Sequence, residues 1–270
     1  MLSKRILTMQ DLSCVGQCSL TVALPVLSAL GVEACVLPTA ILSNHTMFKK
    51  WSCLDMTPEI KNIMDVWEEN DFKFDAFYLG YLGSASLMDI AKQCFKKFSA
   101  DGAEVIIDPA FGDNGKLYPA FDENYVHCMK DLIKCADIIL PNLTEACFLS
   151  GTDYEHDASI EFTQKVIKKL ATLTNAVIVL TGVECNGEIG EIIYRDGKFS
   201  YVWDEKLPKR YHGTGDIFAS AFTAEYVKSK DMQKACFVAG RLVGDSIRAT
   251  SPDHGYGVNF EYVLNNIKRN

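Results

Sequence analysis

Along this chain, short runs rich in β-branched and aromatic residues alternate with longer stretches whose apolar positions recur every three or four residues. The runs at 5–9, 34–37, 76–79, 105–107, 137–140 and 177–180 predict strands, and the stretches at 20–30, 58–69, 85–98, 122–135 and 159–170 predict helices between them. Successive parallel strands need a connection that crosses a sheet face, and a helix supplies it while covering the apolar surface. The alternation therefore predicts an α/β fold of three layers, a mostly parallel central sheet with helices on both sides. Residues 191–194 and 199–203 flank the turn dipeptide Asp196-Gly197 and predict an antiparallel hairpin at one edge. Three helical stretches, 214–227, 233–249 and 260–267, follow it. No internal repeat or Pro/Gly/Ser-rich linker divides the sequence, so residues 1–270 are expected to form one domain.

Composition narrows the function. A formal net charge of −8, with no clustered Lys or Arg, speaks against a nucleic-acid partner, because a polyanion needs a basic surface. Residues 12–44 carry a single charge, Glu33, but Pro25, Gly31 and Pro38 break them into pieces too short to cross a membrane, and no export signal is expected. The ten cysteines are scattered, with no CxxC, and Cys14 and Cys18 have no second Cys or His pair to complete a zinc site. They read as reduced, mostly buried thiols of a cytoplasmic protein.

Chemistry concentrates where strands end. Gly213-Thr214-Gly215-Asp216 opens a helix of small and apolar residues, so free N–H groups at its start can hold an anion with a carboxylate beside them. An Asp there also has a plain use against the helix dipole. Phosphoryl transfer to an alcohol needs these two parts, a base for the hydroxyl proton and donors for the charge on the transferring group. Asp108-Pro109 and Gly112-Asp113 follow the run at 105–107, where carboxylates suit Mg²⁺ bound with nucleotide phosphates, or form an ordinary Asp-Pro turn. Pro141-Asn142 with Glu145 reads as a capping box. Thr181-Gly182 follows the run at 177–180 on the same sheet edge. Gln10-Asp11, Ser43-Asn44-His45-Thr46 and Gly80-Tyr81 stand in comparable places, although His45 and Tyr81 also suit simple packing. No Walker motif and no dinucleotide fingerprint occurs.

Five of these landmarks, Ser43-Asn44-His45-Thr46, Gly80-Tyr81-Leu82-Gly83-Ser84, Asp108-Pro109 with Gly112-Asp113, Pro141-Asn142 with Glu145, and Gly213-Thr214-Gly215-Asp216, stand together in an order that resembles the pyridoxal kinases of the ribokinase-like superfamily. The resemblance implies a homodimer that uses ATP and Mg²⁺ and admits K⁺, and that phosphorylates the 5′-hydroxymethyl group of a B6 vitamer. By position it makes Asp216 the base and the amides of Gly213, Thr214 and Gly215 the anion hole. It places Asp108, Asp113, Asn142, Glu145, Thr181 and Gly182 around the nucleotide, with Asp113 and Glu145 toward the metal. Asp11, His45, Thr46 and Tyr81 fall around the substrate ring, and Tyr118 close by. Many members resemble one another in having Ser-His where this chain has Asp11-Leu12; the extra anion is expected to favour a cationic ring or amine, as in pyridoxamine. Hydroxymethylpyrimidine kinases are similar but commonly carry Cys at the base position, and a silent B6-binding protein would be expected to lose the base or the glycine loop.

Overall fold

In the computed structural model, which describes residues 3–209, 211–251 and 253–267, the alternating runs build one nine-stranded sheet. The first half supplies β1 (Arg5–Ser13), α1 (Leu20–Ala29), β2 (Glu33–Leu42), β3 (Cys53–Asp55), α2 (Thr57–Glu69), β4 (Phe74–Leu79), α3 (Ala85–Phe98) and β5 (Ser99–Ile107). A small ribbon of β6 (Gly112–Asp113) and β7 (Lys116–Leu117) precedes α4 (Glu123–Leu132), β8 (Ile138–Ile139), α5 (Leu143–Ser150) and α6 (Ile160–Leu170). Then come β9 (Val177–Cys185), β10 (Glu188–Arg195), β11 (Lys198–Glu205), α7 (Thr214–Ser229), α8 (Met232–Ala249) and α9 (Glu261–Ile267).

Across the sheet the order is β11-β10-β9-β8-β5-β4-β1-β2-β3. From β9 to β2 the neighbours are parallel, while β3, β10 and β11 are antiparallel additions at the two edges. Alternate residues of one strand face opposite layers. Leu7 and Met9 pack with Ile60 of α2, Leu87 of α3 and Val166 of α6, whereas Ile6, Ala76 and Tyr78 pack with Val22 of α1, Ile217 and Phe222 of α7 and Ala235 of α8. The path from β1 through α1 leads to β2 on one side, and the path from β4 through α3 leads to β5 on the other. Such a reversal between adjacent strands, here β1 and β4, opens a crevice at their carboxyl ends.

Several expected boundaries move. β1, β2 and β9 continue to Ser13, Leu42 and Cys185, so Gln10-Asp11 and Thr181-Gly182 lie inside strands rather than after them. The ladder with β10 carries β9 onward, and Gly182, with φ 66°, takes up the irregularity opposite Glu191. The helix expected over 122–135 ends at Leu132 and finishes as a 3₁₀ turn, Ile133–Cys135. Pro25 lies within α1, which runs over nearly all of the stretch expected at 20–30. The cysteines are free, as expected, but they are not mostly buried: Cys18, Cys94, Cys147 and Cys236 are, whereas Cys14, Cys53 and Cys135 are exposed. Among the described residues no helix is long and apolar enough to cross a membrane.

Candidate active site

The crevice is lined first by β1. Its pairing with β2 slips between Gln10 and Leu12, a bulge of the kind that re-aims a side chain. Asp11, the single residue opposite Thr39 and Ala40 of the bulged strand β2, is 5% exposed, and its carboxylate accepts the Ser13 hydroxyl at 3.2 Å. The Ser19 hydroxyl also faces it, and burial pushes its pKa up against these two donors.

Helix α7 opens beside it. Gly213 has φ 86°, and a Cβ there would come 2.2 Å from the Gln17 carbonyl oxygen, so conformation and space both require glycine. The first bond of the helix ladder runs from Ile217 N–H to the Gly213 carbonyl, leaving the N–H groups of Thr214, Gly215 and Asp216 outside it. A side chain at Gly215 would meet nothing within 4 Å, so there is free space beside the loop. Asp216 sits on this first turn, half-buried. The surrounding protein raises its carboxyl to about 6, the Ser19 N–H bond opposes the rise, and Asp11 adds to it. A carboxylate with that affinity is mostly ionised at neutral pH yet basic enough to take a proton.

A second group of acids stands after β5 and β8. Glu145, 1% exposed, caps α5 together with Asn142 in the expected capping box. Its Oε1 accepts the N–H groups of Phe111 at 3.0 Å and Gly112 at 3.4 Å, and its Oε2 accepts Asn142 N–H at 3.0 Å. Asn142 Nδ2 in turn donates to the Gly112 carbonyl at 2.8 Å. The box thus stitches the loop after Asp108 to the start of α5. Burial lifts the Glu145 carboxyl to about 7 despite these bonds. Asp108 rises well above its ordinary range, through burial first and then repulsion from Glu145 and Asp216. Asp113 is exposed on β6, and its two oxygens accept the backbone and side-chain N–H groups of Asn114. Tyr118, 38% exposed, leans toward Glu145, Asp113, Asp108 and Asp216, which with burial push its hydroxyl pKa upward. Asp11, Asp108, Glu145 and Asp216 thus form a group of acids, each raised above its ordinary range chiefly by burial.

Among the described residues no three His, Cys, Asp or Glu side chains form a group that could hold a metal by themselves. Mg²⁺ is commonly held by one or two carboxylates together with substrate phosphates. Both acids accept N–H donors on both oxygens, but Glu145 is buried and Asp113 is exposed, so of the two residues offered for the metal Asp113 is the more open.

The remaining candidates divide. Tyr81 is half-buried near Asp11, with burial and Asp11 pushing its hydroxyl to about 12, and its ring lies 5.1 Å from Phe121, which stacks on Tyr125 at 3.8 Å. Thr181 joins Asn142 through an isolated bridge, and its N–H donates to the Pro141 carbonyl at 2.9 Å. Gly182 opens onto space. Thr46 is exposed. His45 is 5% exposed; its Nδ1 accepts Met47 N–H at 3.3 Å, and its ring fills the room left by Gly16, 4.6 Å from Phe48 and 5.2 Å from His212. It thus braces the loops at the crevice rim. Gln17 ties the same rim to the end of the chain: its N–H donates to the Tyr256 carbonyl at 2.8 Å, its Nε2 to Glu261 at 2.8 Å, and His254 Nε2 meets its Oε1 at 2.9 Å. Ser13, Cys18 and Ser19, which surround Asp11 and Asp216, had no motif to mark them; a Ser just before an apolar helix looks like a cap.

A parallel sheet with a topological switch between β1 and β4, a helix start bearing a carboxylate of raised pKa, and acids grouped after β5 and β8 are the parts that a small-molecule kinase of ribokinase-like build needs. The sequence model of the phosphomethylpyrimidine kinase family matches residues 21–260, and the chain belongs to that family. It is 36% identical to a Bacteroides thetaiotaomicron protein classed with the phosphomethylpyrimidine kinases and crystallised with pyridoxal, with a TM-score of 0.92 over 99% of this chain and 96% of that one. It is 29% identical to the pyridoxal kinase of Lactobacillus plantarum, with a TM-score of 0.91 over 98% and 97% of the two chains. The hydroxymethylpyrimidine/phosphomethylpyrimidine kinase of Aquifex aeolicus is 24% identical over 81% of this chain and 84% of its own.

Proposed function

We propose that this kinase transfers the γ-phosphate of ATP to the 5′-hydroxymethyl group of pyridoxal, pyridoxine or pyridoxamine, acting as a cytoplasmic homodimer in vitamin B6 salvage. The observation that carries the reading is Asp216 itself, a carboxylate at about 6 on a helix start whose first amides lie outside the helix ladder. Asp216 takes the proton from the hydroxymethyl oxygen as that oxygen approaches the γ-phosphorus. The amides of Thr214, Gly215 and Asp216, on the turn made by Gly213, face the charge that develops on the transferring group. Mg²⁺, when bound, would neutralise phosphate oxygens, and Asp113 and Glu145 are the residues offered to it. Asp108, Asn142, Thr181 and Gly182 line the nucleotide side, while Asp11, His45, Thr46 and Tyr81 bound the ring side.

Two observations favour a B6 vitamer over a pyrimidine: the relative crystallised with pyridoxal, and an acid rather than a thiol at position 216. Phosphorylation of hydroxymethylpyrimidine is the second reading, favoured by the family match and the Aquifex relative. A carboxyl group at position 11 in place of a neutral hydroxyl further suits a cationic acceptor, so pyridoxamine is the preferred vitamer in this proposal.

The test incubates purified protein with MgATP and each of pyridoxal, pyridoxine, pyridoxamine and hydroxymethylpyrimidine, for wild type and Asp216→Asn. Turnover of the vitamers that collapses in the variant is the expected result. Turnover of the pyrimidine alone replaces the first reading by the second, and binding without turnover of any of the four marks a silent binder.

A further inference from the structure

Of the buried side-chain polar atoms that find no protein partner among the described residues, Gln10 Oε1, Tyr78 Oη, Ser220 Oγ and Thr223 Oγ1 belong to one layer, and all four residues are 0% exposed. Two come from the sheet. Tyr78 stands opposite Thr8 in the ladder of β1 and β4, and with Ile6 and Ala76 it faces α1 and α7. Gln10, two residues beyond Thr8, points to the same face. Its Nε2 donates to Thr8 Oγ1 at 2.9 Å, and its amide lies across the end of β4, where a Cβ on Gly80 would come 2.9 Å from Oε1. The other two come from α7. Lys228 Nζ donates to the Leu30 carbonyl at the end of α1 at 2.6 Å, and Glu225 pairs with Lys234 of α8 at 2.6 Å, so these positions mark the flanks of the helix. The side left for the sheet is the stripe of Asp216, Ser220, Thr223 and Val227, which recur at helical spacing.

A hydroxyl or amide oxygen buried without a hydrogen bond is costly, and proteins relieve that cost with internal water, which typically makes about three bonds to such groups. We propose that α7 and strands β1 and β4 enclose an internal water site, held by Gln10 Oε1 and the hydroxyls of Tyr78, Ser220 and Thr223, beneath the crevice and one to two turns along α7 from Asp216. One of the four atoms only accepts, and three both donate and accept. That suits a ligand that does both, as water does, and none of the four supplies a charge to hold an ion. The layer is otherwise apolar, with Ile6, Ile217 and Phe222 around it, so water leaves only when the packing opens. Ser220 and Gln10 also act on the Tyr78 hydroxyl, as expected of groups that share one site.

Magnetic relaxation dispersion of water oxygen counts the waters that a protein holds for longer than its tumbling time. It is measured on wild type, Tyr78→Phe, Thr223→Val and Thr223→Ser, with the melting temperature of each. Tyr78→Phe and Thr223→Val remove an oxygen and keep the shape of the side chain, so both variants are expected to fold. Each should lose long-lived water signal and melt about 2–4 °C lower, because the remaining polar atoms lose their bridge. Thr223→Ser retains the hydroxyl and should retain the signal. A full signal in Tyr78→Phe and Thr223→Val would overturn the proposal, as would its loss in Thr223→Ser, which would trace it to shape. A higher melting temperature in Tyr78→Phe or Thr223→Val would overturn it too, since deleting a dry, unpaired hydroxyl relieves a cost while deleting a bridged one does not. None of these readings needs substrate, so absence of wild-type turnover would bear on the kinase reading alone.

Discussion

Replacing Asp216 by Asn is expected to move activity and stability in opposite directions. Losing the base lowers turnover about 10²–10⁴-fold, mostly in kcat. The stability gain follows from the carboxyl being raised from its ordinary 3.8 to about 6. Because the folded pKa lies above the unfolded one, the contribution favours the fold below pH 3.8 and is lost as pH rises through 6. At pH 8 the ionised, partly buried carboxylate costs the fold roughly 2–3 kcal/mol, and at pH 5 about half of that. The neutral isostere escapes this cost and should raise the melting temperature by about 5 °C at pH 8, with a smaller gain at pH 5. Scanning calorimetry of both proteins at the two pH values, beside initial rates with MgATP and the vitamers, reads both effects. A variant that melts no higher at pH 8, or whose advantage is the same at both pH values, would refute the account of Asp216 as a desolvated base. Wild-type kcat/KM should correspondingly decline on the acid side of about pH 6.

Gly213→Ala places a Cβ 2.2 Å from the Gln17 carbonyl oxygen at φ 86°, so stability should drop by about 2 kcal/mol or more and kcat with it; Gly182→Ala, at φ 66° with nothing within 4 Å, should lose less by urea titration. Glu145→Ala leaves the N–H groups of Phe111, Gly112 and Asn142 without their acceptor and should cost about 2–4 kcal/mol, with a raised KM for ATP as the loop after Asp108 loosens. Asp11→Ser should lower the ratio of kcat/KM for pyridoxamine over pyridoxal by about tenfold, and an unchanged ratio would remove Asp11 from vitamer selection.

Most of the layered fold could be read from periodicity, because buried parallel strands such as Ala76 to Leu79 and amphipathic helices such as α3 carry their environment in their residue pattern. The continuations of β1 through Asp11 and of β9 through Thr181-Gly182 could not be read in this way. Polar residues and a glycine there serve the crevice, and they interrupt the apolar pattern that marks a strand. The short edge strand β3 has all three residues exposed and so leaves no alternation to detect. Among the site residues, Gly213 and Asp216 announced themselves by local motif. Ser19 did not, since its φ of 49° before α1 is a backbone conformation that no spacing encodes. Glu145 was legible as a cap but not as the acceptor for Phe111 and Gly112, a contact that exists only after β5 and β8 are paired.

The triple attachment of Gln17 to Tyr256, Glu261 and His254 makes the last helix a mechanical neighbour of the anion loop, whose glycine rests against the Gln17 carbonyl. A pull on α9 is therefore expected to reach the anion loop through Gln17. A purification tag fused behind α9, or a crosslink that pulls on that helix, should register first as a change in phosphoryl transfer, before any loss of the sheet is seen by circular dichroism.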